Sequence, residues 1–261
     1  MKKLFSILLV TLLIVWGSFG RPELTIAANG AEDFNGTGYI DGTDLNTLGV
    51  GLNGGTGWGE AWQLVGGHNS LVVEATGCSA ANCAVSDGDN ADHGNDRNLE
   101  AGIDDGLFTY YGKNNDGANS ANLHVWFQAA DGTGRFRTSF QRAGLGHAMT
   151  IVGDSSVSIG TWADATWMKV EVAWGSLGSD TYGDGACAAN EAQASVDDGA
   201  WSTCTSFTND GNIENIYLEY GGGGGTILGY YDDFTITDAD AGAGGGAASY
   251  YPAPLWSRRT L

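Results

Sequence analysis

Apolar and polar side chains alternate one for one along much of the chain. Met168-Lys-Val-Glu-Val-Ala-Trp174 places Met168, Val170, Val172 and Trp174 on one side of an extended segment, with Lys169 and Glu171 on the other. Arg135–Gln141, Leu123–Gln128 and Asp233–Thr237 follow the same period. Successive side chains of a strand point to opposite faces, so these segments predict strands with one buried and one solvated face. The stretches between them are dense in Gly, Asn and Asp, which supply turns and positive φ. No helical period longer than two turns follows the first twenty residues. Many short strands at regular spacing predict an all-β, antiparallel two-sheet sandwich of the jelly-roll type. Gly221–Gly225 lies between the strand-like Asn215–Tyr220 and Thr226–Tyr231. It reads as a hairpin loop, because no helix start follows to make it a phosphate cradle.

The first residues break this pattern. Met1-Lys2-Lys3, an apolar run from Leu4 to Trp16 and then Gly17-Ser18-Phe19-Gly20 have the three parts of an export signal over residues 1–20. Cleavage is expected after Gly20 or near Ala27–Ala28. The run is shorter than the roughly 20 residues of a membrane span, and no second such run exists, so no span is expected after cleavage. The basic start and short signal look bacterial, and the expected location is secreted or at the cell surface. Residues 29–240 form the expected domain, 241–248 a Gly/Ala-rich linker and 249–261 a C-terminal tail with Trp256 and the pair Arg258-Arg259.

Export changes the reading of the cysteines, because an oxidising compartment permits bridges. The four cysteines allow three pairings. Cys78 and Cys83 flank a short loop, and Cys187 and Cys204 flank a plausible hairpin, so two local bridges are expected. Neither pair has zinc-knuckle spacing.

Charge excludes one class of partner. The chain carries 31 acidic and 11 basic residues for a net charge of −20, whereas a nucleic-acid binder needs a basic face to neutralise phosphate. Only six basic residues (Arg97, Lys113, Arg135, Arg137, Arg142, Lys169) fall between Asn29 and Asp240.

Several stretches together resemble a family. Glu32-Asp33-Phe34 followed by Asn53-Gly-Gly-Thr-Gly-Trp-Gly-Glu-Ala-Trp62 is similar to the opening of bacterial laminin G-like domains of the concanavalin A-like jelly-roll group. Asp96-Arg97-Asn98-Leu99, Gly160-Thr-Trp162 with Trp167–Val172, Ala194–Gly199 and Gly229–Ile236 resemble its later segments in order. The resemblance covers about Glu32 to Asp238. It implies a two-sheet antiparallel sandwich, commonly with calcium and often binding glycans or proteins, and it does not imply an enzyme.

Hard cations take clustered oxygen ligands. First and last strands of a jelly roll lie side by side, which would bring Glu32 and Asp33 near Asp232 and Asp233 as a Ca2+ site. Alternation sends Asp232 and Asp233 to opposite faces, so only one of them is expected to ligate. The acidic stretch Asp87–Asp96 fails the EF-hand pattern at Ala91 and reads as a solvated loop. Sugar C–H faces stack on exposed aromatics. Trp58, Trp162 and Trp201 near turns, with Tyr110 and Tyr111, are the candidate glycan platforms, while Trp126, Trp167 and Trp174 in strand-like runs are assigned to the core.

Catalysis finds no support in the pattern. Retaining glycoside hydrolysis needs two close carboxyls, but Glu214 and Glu219 are five residues apart and fall on opposite faces. Arg135-Phe-Arg137 lacks the acid of the Arg-x-Glu-x-Arg strand of polysaccharide lyases, and no Ser or Cys has a base beside it. The expectation is a non-catalytic exported module binding glycan or a surface protein. The alternatives are an envelope assembly protein docking through its tail, and a polysaccharide-active hydrolase or lyase.

Overall fold

A computed structural model of the chain describes residues 28–35, 39–47, 55–79, 81–86, 91–115, 122–143, 146–208, 211–221 and 228–239. The expected signal (1–20), linker (241–248) and tail (249–261) lie outside the described residues, as do Asp87–Asn90 and most of the Gly221–Gly225 loop.

In chain order the strands are β1 (Ala28–Glu32), β2 (Gln63–Leu64), β3 (Val72–Glu74), β4 (Cys83–Val85), β5 (His93–Ile103), β6 (Gly106–Asn114), β7 (Asn122–Gln128) and β8 (Gly134–Ala143). There follow β9 (Gly146–Val152), β10 (Ser156–Thr161), β11 (Met168–Trp174), β12 (Glu191–Val196), β13 (Thr205–Ser206), β14 (Ile213–Gly221) and β15 (Gly229–Asp238). One short helix, α1 (Ser176–Tyr182), follows β11. The strands form two antiparallel sheets. One runs β13-β12-β11-β6-β15-β4-β3, with β1 also paired to β15, and the other runs β10-β9-β8-β7-β14-β5-β2. The protein is a two-sheet jelly-roll sandwich, as the alternation requires.

The core lies between the sheets and is strongly aromatic. Leu123, Val125 and Phe127 of β7, Phe136 and Phe140 of β8, Phe108 and Tyr110 of β6, and Val170, Val172 and Trp174 of β11 all point inward and are buried. Phe127 and Phe136 stack at 4.5 Å between centroids. Burial of such rings supplies the main favourable contribution to the fold.

First and last strands do pair, with Glu32 opposite Phe234. Just after β1 the chain turns sharply. Phe34 has φ +52°, a region unfavourable for a bulky residue. Its N–H is held by Glu32 Oε1 at 3.0 Å, and its ring is buried against Trp62, Tyr39 and Phe234. At Gly55, φ is +91° and a Cβ would lie 1.9 Å from the Ala31 carbonyl, so only glycine allows the following turn to lie against β1.

Both local disulfides are present, Cys78–Cys83 and Cys187–Cys204. No helix among the described residues is long and apolar enough to cross a membrane.

Candidate functional site

The expected calcium site does not assemble as a set. Glu32 turns inward instead. Its carboxylate accepts from Arg97 Nη1 at 2.6 Å, from Tyr39 Oη at 2.5 Å and from the Phe34 N–H. Arg97 belongs to the opposite sheet and lies over Trp58 (4.8 Å) and Trp62 (5.8 Å). The pair therefore joins the two layers through the core. Burial pushes the Glu32 carboxyl up to about 7 despite its Tyr39 and Arg97 partners.

The three aspartates lie beside the same strand pairing, Asp33 exposed, Asp233 half-buried and Asp232 buried. A bulge between Asp232 and Thr235 and a φ of +50° at Asp233 interrupt the alternation of β15. Asp232 and Asp233 consequently both reach Ser79 Oγ, on the Cys78–Cys83 loop, which corrects the expectation that they face apart. Asp232 also accepts the N–H groups of Ser79 (3.2 Å) and Asp233 (2.9 Å). The Asp33 carboxylate accepts from Asn35 N–H. Burial and the nearby Asp33 charge raise the Asp233 carboxyl. Among the described residues, the only trio of metal-donor side chains within 4.8 Å is Cys187, Glu191 and Cys204, and its two sulfurs are joined in a disulfide. Hence Glu32, Asp33, Asp232 and Asp233 do not fit calcium as a four-residue shell, which needs six to eight oxygens converging at ~2.4 Å.

The candidate glycan platforms are also redistributed. Tyr110 has no exposed surface, and its hydroxyl shares a 2.8 Å hydrogen bond with Thr138 inside the sandwich. It is core because it alternates with the outward Tyr111, which is half-buried beside Lys169 and Asp232. Trp162 is buried too, stacked on His147 at 4.1 Å with its indole N–H on the Gln141 carbonyl. Trp58 is half-buried and donates to the Ala31 carbonyl. Trp201 is half-buried. Trp174 is core as expected. Trp167 is only half-buried, packed against Tyr230 and Lys113.

Trp126, assigned to the core from its strand-like run, faces outward instead. The alternation that sends Leu123, Val125 and Phe127 inward sends His124, Trp126 and Gln128 to the outer face of the seven-stranded sheet. There the strand register builds rows across β14, β7, β8 and β9. One row is Tyr217, Trp126, Arg137 and Val152, and the next is Glu219, His124, Ser139 and Thr150. Beside Tyr217 in β5 stands Asp96, and Asn98 faces Asn215 in the row beyond.

This face is polar and aromatic at once. Half-buried Trp126 donates its indole N–H to Glu219 Oε2 at 2.6 Å, and the Arg137 guanidinium lies 4.3 Å from its ring centre. Gly134 leaves the indole its room, since a Cβ there would come within 3.2 Å of the ring. Tyr217 likewise lies across Gly94, edge-on to His68. Asn215 Nδ2 donates to Asp96 and Asn98. Arg137 Nε, Thr150 Oγ1, Asn215 Oδ1 and His68 Nδ1 are buried atoms with no hydrogen-bond partner among the described residues. Native folds leave few such atoms unmet, and here four share one outward face.

The face also holds a serine with a base beside it, contrary to expectation. His124 Nδ1 and Ser139 Oγ share a 2.7 Å hydrogen bond. Three observations oppose nucleophilic catalysis. Ser139 has no exposed surface, burial and the Arg137 charge push His124 down to about 3, and Glu219 is engaged by Trp126 rather than by His124. Glu214 accepts from the Ala130 N–H.

No protein-family model matches the chain, and no curated protein matches it in sequence. Among solved structures, it is similar to the carbohydrate recognition domain of Emp47p, at 12% identity and TM-score 0.50, over 84% of this chain and 99% of that one. It is similar to a sialidase at 12% identity and TM-score 0.50, over 84% of this chain but only 20% of the sialidase. At such identities the likeness is one of fold.

Proposed function

We propose that this chain is a non-catalytic, exported recognition module of the laminin G-like kind that binds glycan on the outer face of its seven-stranded sheet. One observation carries the reading. Around a half-buried indole, that face gathers four buried polar atoms with no hydrogen-bond partner among the described residues. A saccharide has the matching chemistry, with C–H faces for Trp126 and hydroxyls for Thr150 Oγ1 and Asn215 Oδ1. Such sites combine a few placed polar groups with apolar surface. The carbohydrate recognition domain among the structures of this fold is in keeping with the reading, and the two disulfides are in keeping with export.

The module would bind by stacking and oriented hydrogen bonds. Single-site affinity of that kind is raised by multivalent display. A glycan array probed with the purified chain and with Trp126→Ala tests the proposal. Signals on saccharide spots that vanish in the variant are expected, and uniform silence of the native chain would contradict it.

A further inference from the structure

We infer that the saccharide is a carboxylated one and that Arg137 receives its carboxylate, an inference that rests on the glycan reading of the same face. The argument starts from charge. In a chain with 31 acidic residues and 11 basic ones, a cation would ordinarily find an acid. Arg97 pairs with Glu32, and Lys169 pairs with Glu171 and Asp198. Lys113 donates to the Gly77 carbonyl and lies 3.7 Å from the Tyr230 ring centre. Arg137 has no ion pair among the described residues, and its buried Nε has no hydrogen-bond partner.

Its surroundings hold it in that state. Trp126 packs against the guanidinium, a contact that attracts a cation without neutralising it. Glu219, one strand beyond Trp126, spends a carboxylate oxygen on the indole N–H. His124 in the adjacent row is kept neutral by burial and by Arg137 itself, so it adds no competing positive charge. Thr150, nine-tenths buried, has a hydroxyl oxygen with no hydrogen-bond partner among the described residues, two strands from Trp126.

A guanidinium offers a planar fork that matches a carboxylate in a two-point hydrogen bond. Flanking hydroxyl and indole groups would then hold the sugar ring that carries it. The net charge of −20 disfavours densely charged polymers, because the rest of the surface repels them. One carboxylate at one fork suits this protein better than a polysulfated chain. Sialic acids and uronic acids share the chemistry, and the experiment separates them.

Sialyllactose and trigalacturonate are titrated calorimetrically against the purified chain. Each is paired with a neutral counterpart, lactose and carboxyl-reduced trigalacturonate. At least one acid form should bind about tenfold or more tightly than its counterpart, as loss of a charged hydrogen-bond partner predicts. Arg137→Gln should abolish that preference while its melting temperature stays near native, and Arg137→Lys should keep part of it, since charge remains without the fork. The preferred arm names the sugar class. Equal affinity for acid and neutral forms, or an unchanged preference in Arg137→Gln, would overturn the inference and leave the glycan reading standing. Silence toward all four probes and toward a broad array would overturn both.

Discussion

The guanidinium of Arg137 lies 4.3 Å from the ring centre of Trp126, whose indole N–H is fixed on Glu219 at 2.6 Å. One aromatic side chain thus has its edge held from one neighbouring strand and its face covered in part by a cation from the other. These contacts hold the indole in place, so that a ligand binding there would meet it pre-oriented. Pre-organisation of this sort reduces the ordering cost of binding.

Replacing Glu219 should therefore weaken glycan binding through Trp126. Glu219→Gln keeps an acceptor and should change affinity by less than about threefold, whereas Glu219→Ala frees the indole and should cost about tenfold, within the range of a charge-assisted hydrogen bond. Titration of both variants with an array-identified saccharide checks this. Equal effects would mean that Glu219 does not position the ring.

The Glu32–Arg97 pair predicts a stability effect with a definite pH dependence. Removing one partner of a buried ion pair typically costs about 3–5 kcal/mol, so Arg97→Met should lower stability by that order in denaturant unfolding. The cost should shrink in acid, where Glu32 takes up a proton and no longer needs a cation.

In the native chain the Glu32 carboxyl is raised to about 7. The folded state then binds a proton that the unfolded chain has already released, and stability falls as pH rises from 4.5 through about 7. Glu32→Gln removes that slope. A slope unchanged in Glu32→Gln would assign it to another group.

At the Ser79 loop the sign is the same. The Asp233 carboxyl is raised by burial and by Asp33, so its charge opposes folding above its raised value. Asp233→Asn should raise the melting temperature, with chelator and calcium making no difference. A calcium-dependent loss of stability in this variant would restore the metal site that the geometry disfavours.

The two bridges should differ in weight. Chain-entropy reasoning gives about 2 kcal/mol for the shorter loop and about 3 kcal/mol for the longer, since Cys78–Cys83 spans 5 residues and Cys187–Cys204 spans 17. Paired Cys→Ser variants compared by denaturant midpoint check the order.

The sandwich was legible because its signal is local, with period-two runs closed by Gly, Asn and Asp. The same rule held the outward position of Trp126, but a place in a strand-like run does not by itself say which face a residue takes. Alternation from Leu123, Val125 and Phe127 decides the matter and turns Trp126 outward. Tyr110 and Tyr111 show the converse, adjacent residues of one type with opposite fates. The rest is long-range. Glu32 and Arg97 are 65 residues apart and belong to different sheets, so no spacing announces their pairing. The bulge that brings Asp232 and Asp233 to one serine depends on a loop more than 150 residues earlier. His124 and Ser139 become neighbours only through the register of β7 and β8.

The measurement that bears most directly on the recognition face is the indole N–H region of an NMR spectrum during titration with a bound saccharide. The outward Trp126 resonance should shift progressively, while that of Trp174, bonded to the Ile103 carbonyl in the core, stays in place. Shifts confined to residues around the Cys78–Cys83 loop, with Trp126 unmoved, would contradict the account.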